Sequence, residues 1–247
     1  MGGEIVRSGA RSSGAGAKGL PGDWVTDVDV ASERAIAGFL RTATPEIPIQ
    51  GEELGGVESG LRWVVDPLDG TTNYLHGFWA VGVSVALVVG TDVLAGAVHA
   101  PFQGDVWHAA DGAGAVWERQ GLTTPCGVSE RPPAEAVVAT GFPFRHKDRI
   151  PRHLAALERT LQTFEDVRRP GAAALDLAWV ACGVFEGFFE LGLAPWDVAA
   201  GGLLVREGGG SITDWGGGPG FLAGDVVAGS PGVHAELVRI TREASAP

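Results

Sequence analysis

The hydrophobic positions along the chain change their period several times, and each change predicts an element. Ala31, Ala35, Ile36, Phe39 and Leu40 recur at helical spacing across residues 29–41, and Pro45 and Pro48 stop the run. This predicts a helix leading into Ile49-Gln50-Gly51-Glu52-Glu53. Leu61-Arg62-Trp63-Val64-Val65 reads as a short apolar strand ending on Asp66, and Val81, Val83, Val85 and Leu87 alternate with Gly82, Ser84 and Ala86 in another. Strand patterns dominate through 93–98, 106–109, 115–117 and 136–140. The pattern then turns helical over 150–163 and 174–182, extended over 184–191 and helical over 197–207, and it closes with a strand at 226–228 and a helix at 234–241. Strands and helices alternate without a regular repeat, so the expected architecture is a layered α/β or α+β sandwich and not a barrel. Residues 1–22 are rich in Gly, Ser and Ala and read as a loose leader with a helical fragment near Glu4-Ile5-Val6. Gly216-Gly217-Gly218-Pro219-Gly220 lacks the strand-before, helix-after context of a phosphate loop and reads as a surface turn.

Composition narrows the picture. A chain of 247 residues can bury a large core, and a single compact unit is expected. Hydrophobic content of 45% with 19% charged residues is far from the disordered regime, and no apolar run is long enough to span a membrane. The N-terminus carries no basic segment followed by an apolar run and cleavage site, so a cytoplasmic location is expected. Cys126 and Cys182 lie far apart in sequence and outside any metal or redox spacing, and read as buried or half-buried thiols. The formal charge of −12, from 18 basic and 30 acidic residues, argues against broad nucleic-acid binding. An anionic substrate would need local help, which divalent cations among clustered carboxylates would supply.

Asp66-Pro67-Leu68-Asp69 offers such carboxylates at a strand end. Magnesium takes oxygen ligands and keeps some waters, so a few well-placed carboxylates suffice, with the Leu68 carbonyl as a further candidate. Pro67 restricts both its own backbone and that of Asp66, which stiffens the turn. Gly70 lets the backbone approach a ligand closely, and Gly70-Thr71-Thr72-Asn73 reads as a helix start with free N–H groups suited to phosphate. The bland alternative is an ordinary Pro-Asp-Gly surface turn. Against it stand Gly51-Glu52-Glu53 just upstream, and Trp196-Asp197 opening a helix with a small face of Ala199, Ala200, Gly201 and Gly202. Those small residues permit close packing that would bring the helix start near Asp66. Asp197 also reads as a helix cap, able to cap and ligate together.

Together, Gly51-Glu52-Glu53, Asp66-Pro67-Leu68-Asp69-Gly70-Thr71-Thr72-Asn73 and Trp196-Asp197-Val198-Ala199-Ala200-Gly201 resemble, in order, the motifs of the inositol monophosphatase family. Arg169-Pro170-Gly171-Ala172-Ala173-Ala174-Leu175-Asp176 and Glu190 look like that family's substrate-side segment, and the resemblance runs from about Lys18 to the C-terminus. It implies a five-layer αβαβα sandwich of the inositol monophosphatase/fructose bisphosphatase type, and a homodimer using two or three Mg2+ ions per subunit. Residues 1–17 would be a leader or truncated first helix, and 18–247 a single catalytic domain with halves at about 18–143 and 144–247. Carried over by residue, Glu52, Asp66 and the Leu68 carbonyl would hold one ion, and Asp66, Asp69 and Asp197 a second, with Asp66 bridging. A third ion would lean on Glu52 and waters. Thr71, with Glu52 and supported by Asp29, would position and activate the attacking water. Asp69, Gly70, Thr71, Ala173 through its N–H, Glu190 and Asp197 would face the substrate, and Lys18 fits a mobile catalytic loop.

Two departures stand out. The first helix is shorter than in the family, and Ala172 stands where Ser or Thr is common, which bears on substrate preference. His76 is expected to order its turn, since hard magnesium favours oxygen, and Trp63 and Trp196 to wall the site by packing. The activity this implies is Mg-dependent hydrolysis of a small phosphate monoester, foremost inositol 1-phosphate, with histidinol phosphate and sugar phosphates as rivals. A regulatory protein contacting the transcription machinery is the alternative of a different class.

Overall fold

Alternation along the central strands gives each of them two apolar faces, so both sides of the sheet they form must be covered. The computed structural model describes residues 1–9, 15–17 and 24–245. It begins with α1 (Gly2–Gly9), a ribbon of β1 (Ala15–Ala17) and β2 (Trp24–Thr26), and α2 (Asp27–Ala43). There follow β3 (Ile49–Gly51), β4 (Gly55–Gly56), β5 (Leu61–Asp69), the short α3 (Thr71–Leu75), β6 (Gly82–Val89), β7 (Asp92–Ala100), β8 (Asp105–Ala110), β9 (Ala115–Arg119) and β10 (Leu122–Pro125). The second half runs β11 (Val137–Thr140), α4 (Ile150–Thr163), β12 (Asp166–Arg168), α5 (Ala173–Ala181), β13 (Gly187–Glu190), α6 (Pro195–Glu207), β14 (Ser211–Asp214), β15 (Val226–Gly229) and α7 (Pro231–Glu243).

Eight strands form one sheet in the order β10-β9-β8-β7-β6-β5-β3-β4, antiparallel except where β3 lies parallel to β5. Five form the other, β12-β11-β13-β15-β14, with β12, β11 and β13 mutually parallel. Helices α1 and α2 cover the outer face of the large sheet, α5 and α6 fill the space between the sheets, and α4 and α7 cover the small sheet. This is the expected αβαβα sandwich. Val65, Leu68, Val81 and Val83 join the α1–α2 core, whereas Val64, Ala86 and Val88 face the core around α5 and α6. No helix among the described residues is long and apolar enough to cross a membrane.

Local chemistry explains where elements start and stop. Helix α2 begins at Asp27 because Thr26 and Asp29 form a reciprocal capping box. The fragment expected near Glu4-Ile5-Val6 is α1, whose Val6 is buried and whose Gly2 and Gly3 lie against Ile36 and His99. The extended run expected over 184–191 shrinks to β13, because the amides of Val184 and Phe185 both donate to the Trp179 carbonyl and close a turn after α5. The glycine-rich stretch is a turn, with the amides of Gly216 and Gly218 donating to Asp214 Oδ1. Cys126 and Cys182 are free, half-buried thiols pushed up to about 12 and about 11, chiefly by burial.

The small face of α6 meets the large sheet at backbone distance. A Cβ on Gly96 of β7 would lie 2.9 Å from the Ala200 Cα, and one on Gly201 2.6 Å from the Leu177 Cβ of α5. Gly96→Ala is therefore expected to destabilise the protein by about 1–3 kcal/mol through overpacking. The exposed Gly38→Ala in α2, where an added methyl meets nothing within 4 Å, is expected to stabilise it by about 0.4–1 kcal/mol. Urea unfolding of the two variants measures both signs.

Candidate functional site

Strand alternation alone would send Asp66 and Asp69, three positions apart, to opposite faces of β5. The pairing of β5 with β6 shifts register between them, at the Pro67 turn, and so reverses the parity. One carboxylate oxygen from each of Asp66, Asp69 and Asp197 consequently lies within 4.8 Å of the others, and all three side chains are buried. Each is anchored to a backbone amide. Asp66 Oδ1 accepts from Leu68 N at 2.9 Å, Asp69 Oδ2 from Ala174 N at 2.8 Å, and Asp197 Oδ2 from Ala194 N at 2.6 Å. Asp69 thereby serves the start of α5, whose N-cap residue Ala172 has no side-chain acceptor to offer. Asp197 is not itself the N-cap of α6: Ala194 holds that position, and Asp197 reaches back to it from the first turn.

Electrostatics oppose this gathering. Burial, reinforced by the charges of Glu52, Asp69 and Asp197, holds Asp66 well above the usual carboxylate range. Asp69 is raised by burial and then by Asp197, and Asp197 by burial and then by Glu52. Burial, with Asp197 next, pushes Glu190 up to about 8, against the pull of Arg169. Asp176, on α5, is raised by burial and then by Glu190, and neither of its oxygens has a hydrogen-bond partner among the described residues. An all-oxygen set of buried, mutually repelling carboxylates fits a hard divalent cation, whose charge would invert the local potential.

Beside the cluster, Thr71 Oγ1 lies 3.2 Å from both Asp29 Oδ1 and the Leu68 carbonyl. Asp29 is fully buried; its other oxygen accepts from the amide and hydroxyl of Thr26, and burial raises it overall. Gly70 has a φ of 85°, and a Cβ there would meet the Ala80 carbonyl at 2.9 Å, so the turn into α3 requires glycine. Glu52 follows β3 directly, with its amide bonded to the Val65 carbonyl and one carboxylate oxygen 3.9 Å from Arg145 Nη2.

Glu52, Asp66, Leu68, Asp69, Gly70, Thr71, Ala173, Glu190 and Asp197 all line one cavity of about 370 Å3. Asp29 stands behind Thr71, and Lys18 lies outside the described residues. Trp63 does not wall this cavity: alternation turns it to the α2 side, where its Nε1 donates to Thr44 Oγ1. Trp196 lines an adjoining recess with Glu52 and Arg145, and exposed His76 ends α3. Arg169, from the expected substrate-side segment, stacks its guanidinium over Phe142 and Phe144; sequence reasoning missed these two rings and Arg145 on the cavity wall. The Gly-Phe-Pro-Phe-Arg run at 141–145 was their only signal.

A model of the inositol monophosphatase family matches residues 1–246. The Nus factor SuhB of Pasteurella multocida is 40% identical over 220 residues, covering 87% of this chain and 81% of that protein. Among solved structures, extragenic suppressor protein suhB from Bartonella henselae superposes with a TM-score of 0.90 at 35% identity, covering 98% of this chain and 94% of that one. An IMPase from Thermotoga maritima gives 0.86 at 30% identity, covering 98% and 93%.

Because the folded-state value of Glu190 lies near 8, above its ordinary 4.5, the folded chain holds a proton across that window that the unfolded chain has released. Stability contributed at low pH is therefore lost as pH rises, and Asp66, Asp69 and Asp197 act in the same direction. The thermal midpoint of chelator-treated protein should fall between pH 5 and 8. Glu190→Gln should flatten that fall, and added Mg2+ should restore the midpoint at pH 8.

Proposed function

The chain belongs to the inositol monophosphatase family, and from this membership we infer that it hydrolyses a small phosphate monoester, foremost inositol 1-phosphate, with Mg2+ as cofactor. The family and the fold are those of metal-dependent phosphatases. The approach of Asp66, Asp69 and Asp197 to within 4.8 Å on a cavity wall carries the reading. In it, Asp66, Asp69, Asp197, Glu52 and the Leu68 carbonyl hold two or three ions. Bound Mg2+ supplies charge neutralisation for the phosphoryl group and lowers the pKa of water. The Thr71 hydroxyl has one proton and two acceptors at equal distance; donating to Asp29 leaves its lone pairs to orient the attacking water. Glu52 accepts that water's proton. The Gly70 and Thr71 amides receive phosphate oxygens, while Glu190, Asp197 and the Ala173 N–H face the hydroxyl-bearing part of the ester. Histidinol phosphate and sugar phosphates are the rival substrates. A homodimer belongs to the same reading, for which the exposed Phe78 and Trp79, next to the buried Trp179, offer an apolar face.

A second reading, contact with the transcription machinery, draws on the name Nus factor carried by the Pasteurella relative. It is compatible with catalysis, and the retained ligand set favours the enzyme.

The test is phosphate release from inositol 1-phosphate, histidinol phosphate, fructose 1,6-bisphosphate and adenosine 3′,5′-bisphosphate, with Mg2+ or with chelator. Release should be greatest for inositol 1-phosphate, abolished by chelator, and lowered in Asp66→Asn by about 100- to 1000-fold. Undiminished release in chelator would overturn the reading. A cellular phenotype that survives Asp66→Asn would favour the regulatory one.

A further inference from the structure

We propose that Glu33 is a positioning residue for Glu52: its carboxylate fixes the backbone just beyond Glu52, and Gly51 makes the room it needs. The inference rests on the reading of Glu52 as a metal ligand.

Asp29, Ser32 and Glu33 share one buried face of α2, at the i, i+3 and i+4 spacing that puts side chains side by side. Each reaches a different part of the site. Asp29 meets the Thr71 hydroxyl, and Ser32 Oγ donates to the Pro67 carbonyl at 2.9 Å, at the bulge between Asp66 and Asp69. Glu33, only 1% exposed, accepts from Glu53 N at 2.8 Å through Oε2 and from Leu54 N at 3.0 Å through Oε1. Two successive amides converging on one carboxylate make charge-assisted hydrogen bonds in a dry place, where each is strong.

Glu52 is thereby pinned on both sides. Its own amide is held by the Val65 carbonyl of the neighbouring strand, and the next two amides are held by Glu33. Gly51 completes the arrangement. A Cβ there would lie 1.8 Å from Glu33 Oε1 and 2.5 Å from its Cδ, so the carboxylate occupies the space that a side chain at position 51 would take. Burying a carboxylate is costly, and an apolar residue would fill the same volume without that cost. The carboxylate supplies what an apolar residue cannot, a double acceptor that sets the orientation of the chain beside Glu52. Residues outside the ligand set that orient ligands typically change metal affinity by about 10–100-fold when altered.

The full chain, freed of metal, is titrated with Mn2+, and free ion is counted by its electron paramagnetic resonance signal. Glu33→Gln keeps the shape but turns one acceptor into a donor facing an amide, and should weaken Mn2+ binding by about 10–100-fold. It should also raise the Mg2+ concentration for half-maximal phosphate release while leaving KM for the ester at saturating Mg2+ unchanged. Gly51→Ala should weaken Mn2+ binding similarly by displacing the carboxylate. Glu33→Asp withdraws the carboxylate from Gly51, so the Gly51→Ala/Glu33→Asp double variant should lose less affinity than the product of the two single losses. Parent-like Mn2+ binding in Glu33→Gln, or losses that simply multiply in the double variant, would overturn the inference. Glu52→Gln separates the two readings: weakened Mn2+ binding there with parent-like Glu33→Gln removes only the positioning role. Parent-like binding in Glu52→Gln itself removes the ligand reading and this inference with it.

Discussion

Holding like charges together in a dry place is the constraint on which the rest of this structure depends. Asp66, Asp69 and Asp197 repel one another at the meeting point of β5 and α6, and burial removes the water that would screen them. Nothing about an isolated strand or helix would place them so. They are kept there by backbone amides aimed at their oxygens, by a register shift that turns Asp66 and Asp69 to one side, and by the buried polar face of α2 behind them. A cation reverses the sign of the problem, and the repulsion becomes affinity.

Close backbone packing makes the geometry reproducible. Gly96 against the Ala200 backbone, and Gly201 against the Leu177 side chain, let α6 lie close to both sheet and helix, and this tight packing locates the start of α6. The Ser84 hydroxyl donates to the Trp196 carbonyl, one residue before Asp197. Asn73 does comparable work for the segment ahead of α5. Its side-chain amide donates to the carbonyls of Ala80, Pro170 and Gly171, tying α3 to the loop that precedes Ala173.

The layered fold was legible because its longer elements carry clean periods: α4 spans the 150–163 that its apolar spacing predicts, and β6 follows the alternation of Val83, Val85 and Leu87. The short strands β3, β4, β12 and β14 were not, since two to four residues hold too little pattern to show a period. Glu52, Asp66, Asp69 and Asp197 could be picked out because they stand in short motifs beside a strand end and at a helix start, in the order in which the family carries them. Trp63 was misplaced for a related reason: nearness in sequence to Asp66 says little when alternate residues point to opposite faces. Glu33 escaped notice because its partners lie some twenty residues away, and only the folded chain brings α2 beneath the Gly51 loop.

Two of the three clustered carboxylates also hold the first turns of helices, Asp69 for α5 and Asp197 for α6. Binding chemistry and folding chemistry are therefore written in the same atoms. A replacement at either position leaves an amide without its acceptor and, on the proposed reading, also removes a metal ligand, so activity and abundance in the cell would decline together. Asp66, whose amide partner is the nearby Leu68 and not a helix, is the member of the set at which the two are least entangled. A survey of natural variants in this protein would find the damage at Asp69 and Asp197 hard to tell from misfolding, and that at Asp66 easier to assign to chemistry alone.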